Sequence, residues 1–96
     1  MAYRHIVIFT IRQPDDLVQA ISTLAALGRE TSQHWTEWQV VQSEDIRKGT
    51  VVGEIAVFPH KRAFRAYTSS EAHRQAAAVM SAIADWPGPL DFEEFD

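Results

Sequence analysis

The sequence contains no cysteine, so neither a disulfide framework nor a thiolate metal site is available to it. Glycine and proline are sparse, four of each with no long run of either, and no repeat or low-complexity tract occurs. Nothing therefore marks a linker, and one domain over residues 1–96 is expected. No stretch approaches the roughly 20 apolar residues of a membrane span. Strand-like residues begin at Tyr3 without the basic region, apolar core and cleavage site of a signal peptide. A cytoplasmic chain with no membrane partner is the resulting expectation. Concentrated positive charge is missing too. The formal net charge is -4, and the nine Lys and Arg are dispersed apart from Arg47-Lys48, Lys61-Arg62 and nearby single arginines. Binding a phosphate backbone needs a basic face, so nucleic acid is not expected as a partner.

What is present is a β-branched and aromatic opening stretch, Tyr3 to Ile11, which reads as a strand. Side chains alternate across a pleat, so Tyr3, His5, Val7, Phe9 and Ile11 share one face while Ile6 and Ile8 share the other. Both faces call for cover. Gln13-Pro14-Asp15-Asp16 has the proline and acidic residues of a helix start, and Leu17, Ala20, Ile21, Leu24 and Leu27 form one apolar stripe. Gly28 is expected to supply a left-handed stop. His34 to Ser43 reads as a second strand near a sheet edge, with Trp38 among the residues of one face. Glu44 to Gly49 is a charged turn, and Thr50 to Phe58 a third strand with Val52, Glu54, Ala56 and Phe58 on one face. His60 to Tyr67 fits a short helix, and Ser70 caps a second one running to about Ala84. Trp86-Pro87-Gly88-Pro89 forms a turn before a last strand from Leu90 to Phe95.

That order, βαββαβ, is the ferredoxin-like α+β arrangement: one four-stranded antiparallel or mixed sheet with the first strand central and the helices on one face. The other face is left bare. Its simplest cover is the same face of a second copy, so a homodimer forming a dimeric α+β barrel is expected.

Arg4-His5-Ile6-Val7-Ile8-Phe9 near the start and Ala66-Tyr67-Thr68-Ser69-Ser70-Glu71-Ala72-His73 late in the chain resemble the two signatures of the stress-responsive dimeric α/β barrel (Dabb) family. The resemblance spans nearly the whole chain. It implies two ferredoxin-like subunits whose sheets enclose a barrel cavity. It also implies a range of function, from stress-induced barrels to a plant polyketide cyclase that performs an intramolecular aldol condensation. The catalytic histidine, tyrosine and second histidine of that cyclase fall on His5, Tyr67 and His73. Its strand-three histidine falls on Val52, and the usual His-Pro of the late motif is Ser70-Glu71.

The residue types support acid-base work on a carbonyl. An imidazole such as His5 or His73 exchanges protons near neutral pH, and the Tyr67 phenol can hydrogen-bond an oxyanion. Glu54, amid apolar neighbours, is expected either to replace the missing base or to pair with a neighbouring cation. Phe9, Trp38, Val52 and Glu54 are the expected ligand-facing residues of the barrel. No spacing supports a metal site, and no cofactor is expected. His34 and His60, at element ends, are expected in solvent.

Three functions follow as expectations. The first is a homodimeric barrel that binds a small apolar or aromatic, polyketide-like carbonyl compound and catalyses cyclisation or aldol-type chemistry without a cofactor. The second is a non-catalytic stress or interaction protein whose barrel is filled by its own side chains. The third is a cofactor-free monooxygenase of the antibiotic-biosynthesis type.

Overall fold

A computed structural model describes residues 1–45 and 49–94. The opening stretch is strand β1 (Tyr3–Ile11), and its odd-numbered residues are all buried while Ile8 on the other face is exposed. A 3-10 turn, Pro14–Asp16, leads into helix α1 (Leu17–Glu30), whose Ala20, Leu24 and Leu27 are buried. Gly28 departs from expectation: it lies inside the helix, and Thr31 follows as the cap. The Thr31 hydroxyl donates to the Leu27 carbonyl at 2.6 Å. Close approach, not backbone conformation, accounts for this glycine. A Cβ there would stand 2.6 Å from Trp38 Cδ1, so the indole can lie on the helix backbone only if position 28 has no side chain.

Strand β2 (Glu37–Asp45) starts three residues later than His34, because residues 31–34 form a turn in which the His34 N–H donates to the Thr31 carbonyl at 2.9 Å. It is an edge strand paired with β3 (Gly49–Phe58). Gly49, at φ 85°, adopts the left-handed conformation expected of the turn residue, while Ile46 and the Arg47-Lys48 pair lie outside the described residues.

Helix α2 (Lys61–Thr68) is capped by His60, whose Nδ1 accepts from the Ala63 N–H at 3.1 Å. Helix α3 (Glu71–Ile83) is capped by Ser70, whose Oγ accepts from the His73 N–H at 3.1 Å, as its sequence position foretold. The helix ends one residue short of Ala84, which instead opens a two-residue strand, β4 (Ala84–Asp85). Arg12 secures that corner. Its guanidinium donates to the carbonyls of Ser81 at 2.6 Å and Ala84 at 2.9 Å, which satisfies groups that a helix C-terminus leaves unpaired. Residues 86–89 cross without regular structure to β5 (Leu90–Glu93); the expected end at Phe95 lies outside the described residues.

The sheet runs β2-β3-β1, with β4 and β5 both on the far side of β1, and every pairing is antiparallel. Five strands appear where four were expected because the last one is delivered in two pieces. β5 pairs with Tyr3–Ile6 and β4 with Thr10–Ile11. Among the described residues, Val7 to Phe9 have no strand partner on that side, and the 86–89 segment arches past this gap.

The helices cover the face that carries the odd residues of β1 together with Val52, Ala56 and Phe58, and the buried Leu24, Leu27, Met80 and Ile83 complete the core. Burying each large aliphatic side chain contributes roughly 1.5–3 kcal/mol. The opposite face stays open and apolar: Ile8 is 52% exposed, Leu90 60%, Val41 43% and Phe92 37%.

Candidate active site

Between the sheet and its helices lies a cavity of about 200 Å³. Val7 and Phe9 of β1, Leu24 of α1 and Met80 of α3 form apolar walls, and Trp86 and Pro89 of the arch close one side. His5, Glu54, His73 and Asp91 make its polar end.

The strand register assembles that end. Asp91 stands directly across from His5 in the β1–β5 pairing, and Glu54 sits across from Val7 in the β1–β3 pairing, so the imidazole is flanked by carboxylates from both neighbouring strands. His5 Nδ1 donates to Asp91 Oδ1, and His5 Nε2 lies 3.2 Å from Glu54 Oε2. The Tyr67 hydroxyl donates to the same Glu54 oxygen at 2.9 Å. A continuous chain Asp91–His5–Glu54–Tyr67 results, with His5 4% exposed, Glu54 2% and Tyr67 0%. Buried polar side chains are tolerated when each finds a partner, and each of these residues has at least one.

Burial opposes a charge on His5, yet the hydrogen bond and charge of Glu54, joined by those of Asp91, outweigh it and raise the imidazole above its ordinary value. With a carboxylate beside each nitrogen, the charged form of His5 is favoured and both ring nitrogens are committed. Tyr67 is pushed up, first by burial and then by the charge of Glu54, which keeps it a phenol. His73 goes the other way. Burial lowers its pKa, Glu54 partly offsets that, and the charge on His5 lowers it further. Its ring stands edge-on to Tyr67, with centroids 4.9 Å apart, and among the described residues it has no hydrogen-bond partner. A neutral, half-buried imidazole thus faces the cavity with a free nitrogen.

His5, Glu54, His73 and Phe9 line the cavity, as does Asp91. Tyr67 does not; it stands behind Glu54 and reaches the polar end through its hydroxyl. Two expected ligand-facing residues lie elsewhere. Val52 is packed into the core, and Trp38 lies against Gly28, its ring 5.8 Å from that of Tyr67 and 5.9 Å from that of Trp35. The reason is that bulky rings, Trp38, Phe58 and Tyr67, fill the β2–β3 half of the covered face, which leaves room only toward β5. The cavity's place differs as well. Val52 and Glu54 point toward their own helices, so the space they were expected to line lies within one chain and not in a barrel between two sheets.

Asp91 was not anticipated. A signal for it exists in the last strand, where Leu90 and Phe92 alternate with Asp91 and Glu93. Once Leu90 and Phe92 take the open face, Asp91 must fall on the face of His5. Among the described residues no group of three or more His, Asp and Glu is arranged to hold a metal ion.

The arrangement is that of an α+β, ferredoxin-like protein with a cavity under its helices, and solved structures share the fold over nearly their full lengths. The chain is similar to Rv0793 from Mycobacterium tuberculosis (TM-score 0.80, 14% identity, 100% of this chain and 97% of that one). It is similar to SnoaB, described as a cofactor-independent oxygenase from Streptomyces nogalater (TM-score 0.78, 15% identity, 99% and 94%). A dimeric ferredoxin-like protein of unknown function from Thermobifida fusca YX is similar as well (TM-score 0.79, 22% identity, 96% and 90%). At these identities the likeness is one of fold. No family model matches the sequence, and no curated protein matches it.

Proposed function

We propose that the protein is a cofactor-independent enzyme that removes a proton from a small, single-ring aromatic carbonyl compound, with His73 as the base. The observation that carries this reading is the cavity of about 200 Å³ ending at an unpartnered, neutral imidazole. An apolar cavity of about 150 Å³ accepts benzene, so one ring with short substituents fits and a fused polycycle does not. The same empty volume argues against a core filled entirely by its own side chains.

His73 takes a proton from the carbon next to the substrate carbonyl, leaving an enolate. The imidazolium so formed feels the negative charge of Glu54, which favours it, much as a buried carboxylate supports a catalytic histidine elsewhere. In an aldol-type cyclisation the enolate carbon then attacks a second carbonyl of the same molecule, and the new alkoxide recovers the proton from His73. His5 is not the base in this scheme, because both its nitrogens are engaged. It holds Glu54 and Asp91 in place, and Tyr67 fixes the rotamer of Glu54. The Dabb-like signatures around His5 and Tyr67–His73 fit this assignment. The fold shared with SnoaB supports a variant in which the enolate reacts with dioxygen. The functional unit is a homodimer joined through the open apolar face, a reading supported by the neighbour described as dimeric.

The test is exchange of the methyl protons of 2,4-dihydroxyacetophenone for deuterium, followed by NMR with and without oxygen. Wild type should accelerate exchange, and His73→Ala should lose about 100-fold or more, the ordinary contribution of general acid-base catalysis, while still binding the ketone. Exchange at the wild-type rate in the variant refutes the assignment. Oxygen uptake during turnover would select the oxygenase branch.

A further inference from the structure

The oxygens at the polar end are unequally used. Glu54 Oε2 receives both the Tyr67 hydroxyl and His5 Nε2, whereas Glu54 Oε1 has no hydrogen-bond partner among the described residues. Asp91 is the same: Oδ1 accepts from His5, and Oδ2 has no partner among the described residues. Both residues line the cavity, and Glu54 is 2% exposed. These two oxygens keep open acceptor positions on residues that line the cavity, so a ligand that supplies a donor there gains a hydrogen bond to a carboxylate. Among the described residues no cation faces the cavity with a free donor. The ring of His5 is shared between two carboxylates, so the polar end sets two acids against a single imidazole.

From this we infer that the cavity selects uncharged ligands that present hydroxyl donors, such as phenols and enols, and rejects carboxylate anions of the same size, with Glu54 and Asp91 as the specificity-determining residues. This rests on the reading of the cavity as a substrate site and adds the polarity of what enters it. A phenolic O–H placed against Glu54 Oε1 or Asp91 Oδ2 satisfies a lone acceptor. A carboxylate in that position meets like charge in a poorly solvated space, where the repulsion is weakly screened. The apolar walls accommodate the ring, and His73 is left to act on the carbonyl side chain. An enzyme built this way takes up a neutral polyhydroxylated compound and does not retain an acidic product, so the step that supplies its substrate must leave any carboxyl group masked or absent.

Three probes of similar ring size test this: 2,4-dihydroxyacetophenone, its dimethyl ether and 2,4-dihydroxybenzoate, each titrated into wild type at neutral pH while the His73 ring signals are followed by NMR. The dihydroxy ketone should bind, and the ether and the acid should each bind about tenfold or more weakly. Glu54→Gln should narrow the gap between ketone and acid. Asp91→Asn, at a partly exposed position, should do the same and serves if Glu54→Gln does not fold. Equal affinity for ketone and acid overturns the charge filter while the substrate-site reading stands. Equal affinity for ketone and ether overturns the donor requirement. Failure of all three to perturb His73 overturns both this inference and the reading beneath it.

Discussion

Replacing Glu54 with glutamine keeps the shape of the side chain and removes its charge, which isolates what that charge does in the buried chain. Two donors converge on Glu54 Oε2, the Tyr67 hydroxyl at 2.9 Å and His5 Nε2 at 3.2 Å. Hydrogen bonds to a charged group are worth about 1.5–3 kcal/mol, and breaking a buried ion pair outright costs about 3–5 kcal/mol. Asp91 still holds the other nitrogen of His5, and the glutamine oxygen can still accept from Tyr67, so the loss falls near the lower figures, about 2 kcal/mol at pH 6. For a domain of this size that is a fall in Tm of roughly 10 °C. The sign of its pH dependence follows from His5. Its folded-state pKa is raised, so its contribution is fully present below the unfolded value of 6.5 and is lost as pH rises through the higher folded value. The pKa of His73 is lowered, so its contribution is present above 6.5 and is lost as pH falls; removing Glu54 lowers it further and adds to the loss at low pH. Urea denaturation followed by tryptophan fluorescence should therefore show a larger penalty for Glu54→Gln at pH 6 than at pH 9. An unchanged midpoint at pH 6, or equal penalties at both values, refutes the paired, charged chain.

Gly28→Ala should destabilise by about 1–3 kcal/mol in thermal melts, because the new methyl meets the Trp38 ring, although alanine is otherwise preferred in a helix by about 1 kcal/mol. A stabilised variant would mean that the indole moves aside freely. Ile8→Asp, on the open face, should turn a sedimenting species of twice 10.9 kDa into one of 10.9 kDa without loss of helical circular dichroism. A wild type that stays monomeric at high concentration removes the dimer. Trp86→Ala, at the arch side of the cavity, should extend binding from one-ring to two-ring hydroxyaryl ketones, and no change in ligand size preference would show that the wall lies elsewhere.

The alternation of Tyr3–Ile11 was enough to place β1 and to group His5 with Tyr3, Val7, Phe9 and Ile11 on one face, because a strand's period of two leaves no freedom in that grouping; that this face is the one under the helices needed the structure. Ser70 was legible for a similar reason: a cap is a local device, and its partner His73 lies three residues on. Gly28 was misread because a glycine near a helix end suits both a left-handed stop and a close approach, and only Trp38, from another element, decides between them. The location of the cavity was out of reach on the same ground. Which half of the covered face is filled depends on three aromatic rings from different elements packing together, and periodicity carries no information about such packing. Asp91 stood between these cases, deducible only once the last strand's apolar residues were assigned to the open face.

The gap in the ladder beside Val7–Phe9 has a consequence for how such a chain can diversify. The arch at 86–89 is tethered on one side by Arg12 at the end of α3 and on the other by β5, and it lends no strand pairing to β1 between them. Residues can therefore be added to or removed from the arch without shifting the register that sets Asp91 opposite His5. The breadth of the chamber and the spacing of its acids and bases are thus written in separate stretches of chain, and a lineage can change the first while inheriting the second.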